Sequence, residues 1–282
     1  MFLTPREYFK SVQSHPRKRF GQHFLNHQET ARRIVDAADL APSDPTVEIG
    51  PGLGALTRFI LPRVHRLHLI ELDRDLAGYL EENAVSPECG VTVHGRDVMG
   101  FDFADLAQSE GGRLTVIGNL PYNISSPLLF QLVEQSASLK KAVFMVQKEV
   151  GDRFRAEPGG KDYGVISVLL KGFAKTRPVL TVGPEAFFPR PKVESIVLRL
   201  DFLDEPLVTP ENLKFFRHVL NLTFQQRRKT LGRSLRQITG KDTHALDEAF
   251  AEANIDPKRR PETLDFQEFL TLAQALKPRL KD

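Results

Sequence analysis

Four stretches of this sequence hold residues whose types and spacing suit chemistry on a nucleotide-like ligand. In Glu48-Ile49-Gly50-Pro51-Gly52-Leu53-Gly54-Ala55-Leu56-Thr57, glycines at alternate positions let the backbone turn sharply and approach a ligand with no Cβ in the way. Between a strand and a helix, such a loop suits a nucleotide-type cofactor. About 20 residues past the first glycine, Leu69-Ile70-Glu71-Leu72-Asp73 sets a carboxylate where both hydroxyls of a ribose can donate to it. Gly95-Arg96-Asp97-Val98 supplies a further acceptor, Asp97, suited to an adenine amine. Gly118-Asn119-Leu120-Pro121-Tyr122-Asn123 then sets an amide, a proline and an aromatic ring in succession. Each stretch has a plainer reading: a glycine turn, a solvated strand-end acid, a loop of common turn residues. Spacing also leaves the cofactor open, since Gly50-x-Gly52-x-x-Ala55 satisfies the dinucleotide fingerprint of a nicotinamide enzyme.

These positions need a scaffold, and the apolar pattern supplies one. Strands are expected at Thr46–Ile49, Leu67–Glu71, Val91–Val93, Leu114–Ile117, Ala142–Gln147, Val165–Leu170 and Ser195–Leu200. Helices are expected at Thr30–Leu40, Leu76–Glu82 and Pro127–Glu134. Strand–helix alternation predicts an α/β fold with a mostly parallel sheet, which binds ligands at the carboxyl ends of its strands. After about Glu205 the pattern becomes helical: Glu211–Leu222, Arg227–Gln237, His244–Ala253 and Phe266–Leu276. Two domains are therefore expected, residues 1–205 and 206–282, with the boundary near Leu203–Thr209.

Composition is that of a soluble globular protein: 282 residues, 41% hydrophobic, 27% charged, net charge +3. The placement of charge says more than its sum. Between Glu211 and Lys241 the cations Lys214, Arg217, Arg227, Arg228, Lys229, Arg233, Arg236 and Lys241 meet no further acid, and Arg17, Lys18 and Arg19 cluster near the start. Such clusters suit a polyanion, although solvated helix faces give the same pattern. A single cysteine, Cys89, excludes a disulfide framework and argues against a cysteine zinc site. No metal is expected. Neither a signal peptide nor a membrane-spanning run is apparent, so a cytoplasmic protein is expected, and nothing demands more than a monomer.

The motifs together resemble one family. Glu48-x-Gly50-x-Gly52-x-Gly54 looks like the first motif of class I (Rossmann-like) methyltransferases, and Asn119-Leu120-Pro121-Tyr122 resembles the catalytic motif of enzymes that methylate adenine N6. Lys18-Arg19-Phe20-Gly21-Gln22-His23-Phe24-Leu25 is similar to the N-terminal segment of the ribosomal RNA adenine dimethyltransferases. So are Gln147-Lys148-Glu149-Val150, Tyr163-Gly164, Phe187-Phe188-Pro189-Arg190-Pro191-Lys192-Val193-Glu194-Ser195 and Phe224-Gln225-Gln226-Arg227-Arg228-Lys229-Thr230-Leu231 to later segments. The resemblance implies a class I methyltransferase domain followed by a small helical RNA-binding domain, with S-adenosyl-L-methionine as cofactor. It implies donor contacts from His23, Leu25, Gly50, Gly52, Glu71, Asp97 and Asn119. His23 stands where the family often has Asn, which points to a contact through its backbone.

The implied chemistry has a physical logic. The lone pair of an exocyclic amine is delocalised into the ring, so its nitrogen is a poor nucleophile and its hydrogens are good donors. The Asn119 oxygen and the Leu120 carbonyl, held by the fixed φ of Pro121, would accept those hydrogens and free the lone pair. Tyr122 would stack on the target base, with Phe187 on its other face. Arg17, Lys18, Arg19, Arg227, Arg228 and Lys229 would meet RNA phosphates. Among relatives, the motifs resemble the small-subunit enzyme, which dimethylates two adjacent adenosines near the 3′ end of its RNA in an immature particle. The alternatives are the large-subunit enzyme of macrolide resistance and a non-catalytic assembly factor.

Overall fold

The computed structural model describes residues 2–17, 21–238 and 243–279. Its elements in chain order are α1 (Pro5–Ser11), β1 (Phe24–Leu25), α2 (Gln28–Ala37), β2 (Thr46–Ile49), α3 (Thr57–Ile60), β3 (Arg66–Ile70) and α4 (Arg74–Asn83). There come next β4 (Gly90–His94), α5 (Phe103–Ser109), β5 (Leu114–Asn119), α6 (Ser125–Glu134), β6 (Leu139–Gln147), α7 (Lys148–Phe154), α8 (Val165–Phe173), β7 (Ala174–Val182), β8 (Phe187–Phe188) and β9 (Ser195–Phe202). The last elements are α9 (Pro210–Gln225), α10 (Leu231–Ser234), α11 (Thr243–Glu252) and α12 (Phe266–Leu276). By packing, Met1–Gly151 with Lys175–Asp204 form one compact unit, and Asp152–Ala174 with Glu205–Asp282 a second.

The first unit is built on a seven-stranded sheet of order β4-β3-β2-β5-β6-β9-β7. Its central strands are buried along their length, as strands covered by helices on both faces must be. β4, β3, β2, β5 and β6 run parallel, and β9 returns antiparallel to β6. The register aligns the strand ends. Ile49 lies opposite both Ile70 and Gly118, and Ile70 opposite His94. The residues that leave these strands, Gly50, Glu71 and Asn119, therefore emerge side by side at one edge of the sheet. A short second sheet pairs β1 with β8, Phe24 opposite Phe188 and Leu25 opposite Phe187.

Two expectations about the strands are corrected. Val165–Leu170 is helix, not strand: a short apolar run does not declare its period, and this one is apolar because the helix is buried nearly all round. The Gly164 N–H donates to Ser167 Oγ at 3.1 Å, and that hydroxyl donates to the Arg153 carbonyl at 2.6 Å, which fixes the first turn. The next strand, β7, is absent from the expected set because Pro178 interrupts its pattern. It lies at the sheet edge, where a residue without an N–H is tolerated.

The second unit is helical. Phe216, Val219, Leu220, Leu264, Phe269, Leu272 and Leu276 form its dry interior, and the Tyr163 hydroxyl donates to the Leu264 carbonyl at 2.9 Å. Residues 152–174, grouped by spacing with the first domain, pack here instead. The helix expected over Arg227–Gln237 is also shorter. A turn occupies 226–229, and α10 starts only at Leu231.

Candidate active site

A cavity of about 410 Å³ opens at the carboxyl edge of β2, β3 and β5. The glycine loop forms its floor. Gly50 and Gly52 have φ of +63° and +58°, a region that side chains with a Cβ rarely adopt, and both line the cavity. The Gly52 N–H donates to Glu71 Oε2 at 3.0 Å, while Glu71 Oε1 accepts from the Asp73 N–H at 2.9 Å. Loop and carboxylate thus fix each other. Glu71 is only 7% exposed, and burial outweighs those hydrogen bonds, pushing its carboxyl up to about 7. Behind it Glu48, 1% exposed, accepts from the Thr57 hydroxyl at 2.6 Å. Burial, reinforced by the charge of Glu71, pushes Glu48 up to about 8. Asp97 lines the cavity from beyond β4, one oxygen accepting from the Met99 N–H at 2.9 Å.

Asn119 ends β5. Its Nδ2 donates to the His23 backbone carbonyl at 2.9 Å. A carbonyl only accepts, so the amide nitrogen faces His23, and Oδ1 has no partner among the described residues on a side chain that lines the cavity. Leu120, Pro121 and Tyr122 continue that wall. The Tyr122 hydroxyl shares a hydrogen bond with Ser195 Oγ at 3.2 Å, and burial keeps the phenol above its ordinary range. The His23 ring stacks on the Tyr122 ring with centroids 5.3 Å apart, and its Nδ1 donates to the Pro189 carbonyl at 2.7 Å. His23 therefore holds Asn119 through its backbone and packs Tyr122 through its side chain.

The expected residues divide clearly. His23, Leu25, Gly50, Gly52, Glu71, Asp97, Asn119, Leu120, Pro121 and Tyr122 all line the cavity. Phe187 does not: it is 5% exposed, in the core beside Leu25, and presents no open face to a base. Several lining groups are not singled out by the sequence. Arg96 sits beside Asp97, and Glu48 reads only as part of the glycine motif. Leu3, Thr4 and Pro5 come from the N-terminus. Their signal lies in Thr4-Pro5-Arg6-Glu7, a helix-starting capping box with proline at the first position.

The expected phosphate contacts fare unevenly. Arg17 is an internal clasp: its guanidinium pairs with Asp73 at 2.7 Å and with Asp75, and its N–H donates to Gln22. Lys18 and Arg19 lie outside the described residues. Arg227 donates to the Gly160 carbonyl at 2.7 Å and to the Lys161 carbonyl, so it too is committed within its own unit. Arg228 and Lys229, in the turn after α9, are exposed. Among the described residues no helix is long and apolar enough to cross a membrane.

Known proteins resemble this chain. The chain is 45% identical over 263 residues to the ribosomal RNA small subunit methyltransferase A of Syntrophotalea carbinolica, covering 93% of this chain and 97% of that protein. A dimethyladenosine transferase from Plasmodium falciparum superposes with a TM-score of 0.77 at 25% identity, over 91% of this chain and 98% of that one. The 23S rRNA methyltransferase ErmE shares the fold, with a TM-score of 0.66 at 24% identity over 90% of this chain and 99% of its own. The family model for ribosomal RNA adenine dimethylase matches residues 13–277. The chain belongs to the ribosomal RNA adenine dimethylase family.

Proposed function

We infer that this protein is an S-adenosylmethionine-dependent enzyme that dimethylates N6 of adenosines in small-subunit ribosomal RNA. The single observation that carries the site assignment is the Asn119 amide, whose nitrogen is taken by His23 and whose oxygen is left for a substrate donor. The cavity suits an adenosyl methyl donor. Its floor is a positive-φ glycine turn that packs closely on the Phe24 ring, which a Cβ at Gly52 would approach to 3.1 Å. The adjoining Glu71 and Asp97 each have acceptor capacity for ribose hydroxyls and an adenine amine.

When bound, the donor supplies a methyl carbon on a sulfonium, with a neutral thioether as leaving group. The protein's part is to place and activate the amine. Asn119 Oδ1 and the Leu120 carbonyl accept its two hydrogens, so the nitrogen pyramidalises and its lone pair becomes available. Tyr122 stacks on the target base with the face that His23 does not cover. No strong base is needed, because the amine proton becomes acidic once the methyl has bonded and can leave to solvent. The monomethyl amine retains one hydrogen, so either Asn119 Oδ1 or the Leu120 carbonyl accepts it in the second transfer.

The substrate in this reading is an incompletely assembled small-subunit particle, and the enzyme acts as a cytoplasmic monomer. Arg228 and Lys229 meet its phosphates; their exposure supports this role, and the internal pairing of Arg17 and Arg227 removes those two from it. The test is methyl transfer from labelled S-adenosylmethionine to small subunits lacking the modification, with large subunits alongside and the digested RNA analysed by mass spectrometry. Dimethyladenosine in small-subunit RNA alone is expected. Label confined to large-subunit RNA would overturn the substrate, and none in either would overturn the activity.

A further inference from the structure

The N-terminal helix lies before the family match begins at residue 13, yet the segment that leads into it lines the donor cavity. α1 has seven residues, too few to persist in water unaided. Its capping box starts it: the Glu7 carboxylate accepts from the Thr4 N–H at 2.8 Å. Tertiary contacts must then hold it in place. The Leu3 N–H donates to the Tyr79 hydroxyl at 2.7 Å, Tyr8 meets Tyr79 edge-on at 5.1 Å, and Phe9 meets Phe24 at 5.4 Å.

These contacts form a small core of their own. Tyr8, Phe24, Leu53 and Leu76 are buried together, with Leu3, Phe9 and Tyr79 against them. Leu53 belongs to the glycine loop and Leu76 to α4, the helix just after Glu71. The N-terminal helix therefore rests on the two segments that present donor ligands. Phe2 adds a direct contact with the loop. Gly54 has φ of +78°, and a Cβ there would come within 2.3 Å of the Phe2 ring, so the ring lies flush on the glycine backbone. The Arg58 guanidinium sits 5.4 Å from the centre of the Phe2 ring.

We propose that residues 2–11 are a wall of the methyl-donor site, with Leu3, Thr4 and Pro5 closing the cavity and the docking of α1 coupled to donor retention. The inference rests on the donor reading above. Its physical basis is linkage. If the donor binds best to the walled cavity, its presence favours the docked helix, and the docked helix raises donor affinity by the same factor. The wall is a cover rather than a set of charged ligands, so its removal acts chiefly on the rate at which the donor leaves.

The probe is S-adenosylhomocysteine, with affinity measured by calorimetry and dissociation by stopped flow. Three proteins are compared: the full chain, a chain lacking residues 1–12, and Phe2→Ala. The deletion is expected to weaken binding about tenfold, mostly through faster dissociation, and Phe2→Ala to do so by a smaller factor. In the full chain, the ligand should slow hydrogen exchange of the Tyr8 and Val12 amides, which bond to the Thr4 and Tyr8 carbonyls at 3.0 and 3.1 Å. That measurement needs no variant, so it stands even if the deletion misfolds. Unchanged affinity and dissociation in a folded deletion, or exchange in α1 indifferent to the ligand, would overturn the wall while leaving the donor site intact. A full chain that fails to bind the ligand would overturn the donor reading and the wall with it.

Discussion

The strand-end cavity and the basic turn after α9 hold their functional groups in opposite ways. At the cavity, three polar side chains are tied to backbone whatever their exposure: Glu71 to two N–H groups, Asn119 to the His23 carbonyl, Asp97 to the Met99 N–H. At the turn, Arg228 and Lys229 stand in solvent, while their neighbour Arg227 is held by two carbonyls. A methyl transfer needs an acceptor fixed to a fraction of an ångström, and backbone partners supply that. Attraction to phosphate needs charge near a surface, and a mobile side chain supplies that as well as a fixed one. The same residue types therefore answer to different requirements, and substitutions in the two regions should fail differently.

The largest effect belongs to the fixed acceptor. Asn119→Ala removes Oδ1, which acts on the amine during transfer, and should lower kcat by about 10²–10³-fold, in the range seen when one preorganised hydrogen-bonding group is lost. Donor affinity should change much less, because Glu71, Asp97 and the glycine loop remain in place. Single-turnover rates beside S-adenosylhomocysteine calorimetry give the two numbers. A loss confined to donor affinity would break the comparison, since Asn119 would then be a cofactor ligand and not the activating group.

Burial at the cavity has a second consequence, in stability. Glu48 is held near 8 and Glu71 near 7, both above the ordinary 4.5. Between pH 4.5 and 8 the folded state therefore holds more protons than the unfolded chain, and stability from these groups falls as pH rises through that window. Glu48→Gln keeps an acceptor for the Thr57 hydroxyl and removes the buried charge. It should raise stability at pH 9 by on the order of 2 kcal/mol and leave it nearly unchanged at about pH 4. Thermal melts at the two pH values measure this. A variant less stable at both would mean that the ionised carboxylate is what the fold requires there.

The same contrast explains how much was legible in the sequence. Gly50 and Glu71 could be found from their spacing and Asn119 from its resemblance to a known motif, and parallel strands in register make the three neighbours. Phe187 lies in the core and not on the cavity wall because its strand, two residues long, pairs with Leu25, a tertiary contact that the motif does not declare. The lining at Leu3–Pro5 is not legible in the sequence because its contacts are tertiary and the helix it leads into is shorter than any periodicity can declare. Val165–Leu170 misled for a related reason: a segment buried on every side loses the alternation that separates helix from strand. The basic residues were legible as charge but not as partners, since nothing local says that Arg17 will meet Asp73 or that Arg227 will reach Gly160.

That last distinction can be tested inside one turn. Charge reversal at Arg228 and Lys229 should weaken binding to small-subunit RNA about tenfold and lower the slope of log affinity against log salt by about 2, one for each phosphate no longer neutralised. Donor affinity should not move. Arg227→Ala removes a cation from the same turn, but what it breaks is the pair of bonds to the Gly160 and Lys161 carbonyls. It should cost about 1–2 kcal/mol of stability, with little change in salt slope. Filter binding over a salt series, paired with thermal melts, separates the two. If Arg227→Ala lowered the slope as much as either reversal and left the melt alone, the turn would be a uniform phosphate surface, and the division between its paired and its solvent-facing cations would fail.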